Sequence, residues 1–213
     1  FKSLLLKYPK FNGWITYMNK KENIIGSSWL FDNDTVSNLV NVEQTFTAKE
    51  CRSIIKLGNS FKSQKAVVRG GNQSVRKSKV SWIGVTEDSK WIFERLGKII
   101  VDLNNKYFNF NIHGIVEAIQ FTHYKHPDGK YERHIDRVHN GLVRKLSAVI
   151  QLSDPINYEG GQLLIHQGPK PMPVDKKQGT FTIFPSYTLH EVTPVSKGER
   201  YSLVVWVNGK PFK

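Results

Sequence analysis

Cysteine is almost absent from the chain. The single residue, Cys51, excludes an internal disulfide and any cysteine-rich zinc site, and it suits a reducing, cytoplasmic setting. No stretch approaches the roughly eighteen consecutive apolar residues of a membrane-spanning helix. Internal repeats and low-complexity tracts are also missing, so a solenoid or a long disordered linker is not expected. Acidic residues are scarce, 18 Asp and Glu against 31 Lys and Arg, and the net charge is +13. A basic surface attracts nucleic acid, anionic membrane, acidic protein or an anionic small molecule without choosing among them. Arg69, Arg76, Lys77 and Lys79 form a local basic cluster. No nucleic-acid-binding motif accompanies the charge, so nucleic acid stays a partner suggested by charge alone and a solvated surface is the simpler reading. The first residue is Phe1 rather than Met. The natural start is therefore expected upstream, which leaves a leader peptide open.

What is present is enough for one substantial core: 213 residues, 39% of them hydrophobic. Residues 1–45 mix aromatics with turn formers and read as an irregular arm or lead-in, followed by a single domain over 46–213. Thr47 and Glu50 make a T-x-x-E capping box, Cys51, Ile54 and Ile55 fall on one helical face, and Gly58 stands where a C-terminal cap belongs. A second helix is predicted over 90–106, with Ser89 as N-cap and Ile92, Leu96, Ile99, Ile100 and Leu103 at helical spacing. From Gly114 onward the texture changes to short β runs, at 115–124, 145–152, 162–166, 180–184, 191–195 and 200–207, divided by turn formers such as Asn140-Gly141 and Gly160-Gly161. Two helices followed by many short strands predict an α+β, mainly β fold, a double-stranded β-helix (jelly roll) over about 114–209 buttressed by the N-terminal helices. The segment 62–78, rich in Gly, Ser, Lys and Arg, is expected to be a mobile loop and a substrate lid hinged at Gly70-Gly71.

Three signals carry the chemistry. In His134-Ile135-Asp136 a strand would point the imidazole and the carboxylate to one side. His190 follows a strongly apolar run, and Arg200 opens another. Each alone has a plain alternative: a surface hydrogen-bonded pair, a polar loop histidine, a rim arginine reaching solvent. Together they fit one device. Two His and one carboxylate occupy one face of an octahedral Fe(II) and leave three positions open. Two of those suit the keto-acid end of 2-oxoglutarate and the third O₂. The far carboxylate of 2-oxoglutarate then wants a planar two-pronged donor, which Arg200 offers and a lysine would not, with the Ser202 hydroxyl as a further donor.

A wider set of pieces supports that reading: Gln120-Phe121-Thr122 with Tyr124, Tyr131 leading to His134 and Asp136, Leu152-Ser153-Asp154-Pro155, Tyr158-Glu159-Gly160-Gly161, Phe184-Pro185 leading to His190-Glu191-Val192, Gly198 with Arg200, and Trp206. In this order and spacing the stretch from about 114 to 208 resembles the Fe(II)/2-oxoglutarate-dependent dioxygenases of the prolyl 4-hydroxylase type, and among them the bacterial and viral PKHD-type hydroxylases. The resemblance implies that His134, Asp136 and His190 bind the metal, that Arg200 pairs with 2-oxoglutarate, and that Tyr124 touches this cosubstrate unless it only fills the core. Some relatives carry a tyrosine where this chain has Gln151, so that cosubstrate contact is expected to be changed. The implied cofactors are Fe(II), 2-oxoglutarate and O₂, with ascorbate in support. Halogenating relatives replace the metal carboxylate by a small residue; Asp136 therefore argues for hydroxylation.

The resemblance puts a protein or peptide substrate first, proline foremost. Nucleic-acid base oxidation or demethylation and hydroxylation of a small molecule stand as alternatives. The nucleic-acid repair relatives carry a second arginine shortly after the first, and Tyr201 to Val207 hold none. A non-catalytic metal-binding jelly roll of the cupin type would explain the His and Asp but not Arg200. Of the other histidines, His113, His123, His126 and His139 are expected near exposed turns, while His166 is a minor candidate for the substrate side. Trp206 reads as core.

Overall fold

In the computed structural model of the protein, the residues described are 36–66, 75–139 and 141–211. Most of the expected lead-in, Arg69 and the Gly70-Gly71 pair lie outside them. In chain order the elements are β1 (Val40–Val42), α1 (Ala48–Ser60), β2 (Gln64–Lys65), β3 (Arg76–Lys77), β4 (Lys79–Ile83), α2 (Lys90–Leu103), β5 (Ile112–Gly114), β6 (Ile119–Lys125) and β7 (Lys130–His134). They continue with β8 (Val138–His139), β9 (Leu142–Gln151), β10 (Tyr158–Gly160), β11 (Leu163–His166), β12 (Met172–Pro173), β13 (Phe181–Pro185), β14 (Leu189–Val192) and β15 (Val195–Gly209). The larger sheet runs β1-β13-β9-β15-β6-β4-β2, and the smaller one β12-β11-β14-β7-β3. All the strand pairs are antiparallel. This is the mainly β jelly roll buttressed by helices that the alternation of residues implied.

Alternation along the central strands has an unusual meaning here. Both faces of the larger sheet are buried, and they differ in chemistry rather than in exposure. Phe121 of β6, Leu146, Ala148 and Ile150 of β9, Phe181 and Ile183 of β13, and Leu203, Val205 and Val207 of β15 point toward Ile54 of α1 and Ile92, Leu96 and Ile100 of α2 in one continuous core. The intervening residues Gln120, Thr122, Ser147, Gln151, Thr182, Arg200 and Ser202 are buried too, yet polar. They face the smaller sheet, where Tyr124, Leu163, Ile165, Val174, Phe184, Val192 and Val195 form a second apolar cluster. Burying so many polar groups costs free energy unless each finds a partner. A sheet that is greasy on one side and polar on the other, with both sides covered, is built around an internal site.

The helices are fixed by specific residues. The capping box forms as read, with Thr47 Oγ accepting from the Glu50 backbone and the Glu50 carboxylate accepting from the Thr47 backbone. Arg95 of α2 donates to Glu50 Oε1 at 2.8 Å and so ties the two helices together. These interactions hold the Glu50 carboxyl down to about 2. Four details differ from expectation. Gly58 does not cap α1; it lies inside the helix, pressed on the Phe121 ring, because a bare Cα lets the helix approach the sheet. Ser89 makes no side-chain cap: its Oγ donates to the Gly84 carbonyl at 2.6 Å and closes the preceding turn instead. The expected loop 62–78 contributes two short strands, β2 on β4 and β3 on β7, and only residues 67–74 of it lie outside the described part. The second helix also ends earlier than expected, passing into a π-helical turn over Asn104–Phe108.

Gly58 supplies a direct check on the packing. Replacing an interior helical glycine by alanine gains about 1 kcal/mol in propensity, but here the new methyl would overlap the Phe121 ring. Gly58→Ala is expected to lower the unfolding free energy by up to about 2 kcal/mol net, since overpacking costs about 1–3 kcal/mol. Urea denaturation measures it, and a stabilised variant would mean that the α1–β6 contact is looser than described.

Candidate metal centre

Strand pairing builds the centre. In the smaller sheet β7 and β14 run antiparallel with His134 directly opposite His190. The two rings lie 4.2 Å apart between centroids. Asp136 arrives differently from the expectation. β7 ends at His134, so the carboxylate is delivered from just beyond the strand rather than from within it. The Asp136 backbone N–H donates to the Ser186 carbonyl at 2.8 Å, and this bond returns the chain toward β14. As a result one ligand atom from each of His134, Asp136 and His190 lies within 4.8 Å of the others. His134 Nε2 stands 3.8 Å from Asp136 Oδ1, and His190 Nε2 3.5 Å from Asp136 Oδ2.

The surrounding groups decide which atoms are free. His134 Nδ1 pairs with the Glu132 carbonyl at 2.7 Å and His190 Nδ1 with the Thr188 carbonyl at 2.9 Å. A carbonyl only accepts, so each Nδ1 carries the hydrogen and each Nε2 presents a lone pair to the centre. Burial, and then the neighbouring His190, push His134 down to about 4, so its ring is neutral at physiological pH. Burial raises the Asp136 carboxyl, but His190 and His134, with Trp206 and Ser147, outweigh it and hold the group below the ordinary range. Ser147 Oγ donates to Asp136 Oδ2 at 2.8 Å. The Trp206 indole N–H lies beside the same carboxylate and favours its charge, though without a hydrogen bond of ordinary geometry. Two imidazoles and one carboxylate, each oriented from behind, form a donor set suited to Fe(II).

On the same inner face of the larger sheet stands Arg200. It is 3% exposed, in register with Tyr124 of β6. Its Nε donates to Gln151 Oε1 at 3.1 Å, while its Nη1 is buried with no hydrogen-bond partner. Gln151 also donates through Nε2 to the Tyr158 hydroxyl at 2.9 Å. Arg200 borders a pocket of about 250 Å³, counting the part open to solvent, with Gln151, Leu163, Val174 and Lys176 among its walls. A buried, partnerless guanidinium nitrogen is costly unless an anion completes it. Gly161 helps make the room: it takes φ +56, and a Cβ there would approach the Arg200 Cδ to 3.0 Å.

Residues 119–208 match the family model of the 2OG-Fe(II) oxygenase superfamily. This part of the chain is similar to members of that superfamily. A PKHD-type hydroxylase of Sphingopyxis alaskensis is 31% identical over 125 residues, 54% of this chain and 56% of the relative, so the chain spans about half the length of that curated relative. Two solved structures share the fold. One is a Pseudomonas putida prolyl-4-hydroxylase, with TM-score 0.67, 21% identity and coverage of 82% of this chain and 94% of the other. The second is a Trichoplax adhaerens prolyl hydroxylase in complex with a peptide fragment of the hypoxia inducible factor oxygen degradation domain, with TM-score 0.69, 20% identity and coverage of 81% and 84%.

The residues singled out by sequence separate into groups. His134, Asp136 and His190 converge, and Arg200 with Gln151 forms a second locus. Tyr124 is buried with its ring 5.4 Å from the Arg200 guanidinium carbon. Ser202 is buried on the same strand face, in register with Gln151 and Thr122, but does not line the pocket. Two further histidines stand apart from the centre, and the second of them departs from expectation. His166 lies on the outward face of β11 and pairs with Glu191 at 2.9 Å, because alternation turns it away from the face shared by Ile165 and His190. His123 is not exposed: it stacks on Tyr201 at 4.4 Å and bonds Glu199. Trp206 is buried as expected but stands beside Asp136. Ser147 was missed, since its place opposite Trp206 depends on the register of β9 with β15.

Ser147 separates ligand from support. Loss of a group that orients a ligand costs about 10–100-fold in metal affinity. Ser147→Ala is expected to fall in that range for Mn(II) or Fe(II), and His134→Ala to exceed it, by anaerobic titration. Equal affinities in wild type and His134→Ala would remove His134 from the centre.

Proposed function

We propose that the protein is an Fe(II)- and 2-oxoglutarate-dependent dioxygenase that hydroxylates a C–H bond in a protein or peptide segment, proline or a neighbouring aliphatic carbon first. His134, Asp136 and His190 hold the metal; Arg200, oriented by Gln151 and flanked by Tyr124, receives the distal carboxylate of the cosubstrate. The observation that carries this reading is the Arg200 Nη1, buried and partnerless on the same inner sheet face that carries Ser147 and Trp206 beside the triad. Fe(II), when bound, would let O₂ act as the oxidant of both organic partners, one oxygen atom entering 2-oxoglutarate as it loses CO₂ to become succinate and the other becoming the hydroxyl on the substrate carbon.

The chain's own residues position and protect. The two Nδ1–H donors fix the imidazoles, and Ser147 and Trp206 keep Asp136 charged. The apolar cluster around Leu163, Val174, Phe184 and Val192 restricts water between the sheets. No general acid or base is required of the protein. A peptide substrate is favoured by the peptide-bound neighbour of the same fold. It would lie extended at the mouth of the jelly roll, where the half-exposed Trp82 meets Trp206 at 6.2 Å between ring centroids. The charge of +13 motivates nucleic acid as the second reading.

Two measurements test these claims. Arg200→Lys is expected to weaken 2-oxoglutarate by about 1.5–3 kcal/mol, the range for hydrogen bonds to charged groups, while leaving metal affinity nearly intact, because a point charge cannot reproduce a two-pronged guanidinium. An unchanged 2-oxoglutarate affinity would move the cosubstrate elsewhere. For the substrate, the protein with Fe(II), ascorbate and 2-oxoglutarate is incubated with proline-containing peptides and, separately, with methylated and unmodified oligonucleotides. A gain of one oxygen on peptides that disappears in Asp136→Ala supports the proposal; oxidation confined to oligonucleotides reverses it.

A further inference from the structure

Arg200 is not the only cation at its pocket. Lys176, from the segment that follows β12, lines the same cavity. Its Nζ donates to the Gly160 carbonyl at 3.0 Å and sits 4.1 Å from the centre of the Tyr158 ring. Tyr158 in turn holds the Gln151 amide that orients Arg200. Burial, followed by the charge of Arg200, makes the Lys176 ammonium harder to keep protonated than an ordinary lysine. Neither cation forms an ion pair with an acid among the described residues. Asp175 also borders the cavity; its Oδ1 accepts from the Lys177 backbone at 2.9 Å and it makes no ion pair with either cation, while the Glu159 charge favours the charged form of Lys176. The two cations repel each other, and an anion that enters between them relieves that repulsion.

We infer that Lys176 is a second cationic contact for the distal carboxylate of the cosubstrate, and that the Arg200–Lys176 pair makes the site select 2-oxo acids that carry that second carboxylate. The inference rests on the 2-oxoglutarate reading of the pocket and adds a specificity-determining residue to it. An ammonium has three donors. One is used on Gly160, so two remain for a ligand. Arg200 offers its unpaired Nη1 from β15, and Lys176 reaches in across Tyr158. A carboxylate with two acceptor oxygens can take one hydrogen bond from each side. The Gly160-Gly161 turn, with positive φ at both residues, supplies the carbonyl that anchors Lys176 and the open space beside Arg200.

The test compares two ligands that differ only in the distal carboxylate, 2-oxoglutarate and 2-oxobutyrate, by calorimetry on Mn(II)-loaded protein, where no turnover occurs. Wild type is expected to bind 2-oxoglutarate far more tightly. Lys176→Met should weaken 2-oxoglutarate about tenfold, in line with the loss of one charge-assisted hydrogen bond, and leave 2-oxobutyrate nearly unchanged. Lys176→Arg should retain most of the preference. If Lys176→Met weakens both ligands equally, or neither, the lysine only supports the Gly160 turn and the inference fails. Should Lys176→Met fold poorly by thermal melting, Lys176→Gln is scored by the same ratio. Wild type that shows no 2-oxoglutarate binding would instead overturn the functional reading on which the inference depends.

Discussion

The antiparallel pairing of β7 with β14 is the constraint on which the site depends. It places His134 and His190 face to face across one rung, a geometry that no loop could hold so closely without support. The third donor needs a further device, because a strand continuing straight would carry Asp136 past the centre. The chain instead leaves the sheet after His134 and is held by the Asp136 N–H to Ser186 bond. Ser186 is itself tied by its hydroxyl to the Arg144 carbonyl and by its N–H to the Lys145 carbonyl of β9. The metal centre is therefore fastened to both sheets. Arg144 extends the fastening: it pairs with Glu117 through two hydrogen bonds, and its guanidinium lies 3.6 Å over the Trp206 ring, the same indole that faces Asp136.

The charges follow a consistent plan. The triad presents two imidazoles and one carboxylate, a donor set for a cation. The neighbouring cavity presents Arg200 and Lys176, a net positive pocket for an anion. Gln151 uses both ends of its amide, one on Arg200 and the other on Tyr158, and so orients the guanidinium. Opposite charges in adjacent compartments suit a ligand that chelates a metal at one end and ends in a carboxylate at the other.

Much of this was legible in the amino-acid order, and the misses have physical reasons. The His134-Ile135-Asp136 spacing and the positions of His190 and Arg200 identified the chemistry, since few donor sets suit Fe(II) and a cosubstrate carboxylate together. The capping box at Thr47 and Glu50 was readable because it is local. Gly58 was misjudged because a glycine near a helix end has two uses, and only the position of Phe121, over sixty residues away in sequence, decides between them. His166 and Ser147 depended on which strands pair and in what register, a non-local fact. Lys176 gave no signal at all: it lies in a segment without regular structure and gains meaning only when the fold brings Gly160, Tyr158 and Arg200 around it.

The central claim is that one site holds Fe(II) and 2-oxoglutarate together, with the metal bound by the triad and the cosubstrate chelating it. The most direct test is an anaerobic titration of the protein with Fe(II) and then 2-oxoglutarate, watching for the weak visible charge-transfer band of the chelate. The account predicts a band that requires both components, saturates at one equivalent of each and is lost in Asp136→Ala. No band in wild type, or an undiminished band in Asp136→Ala, would contradict it.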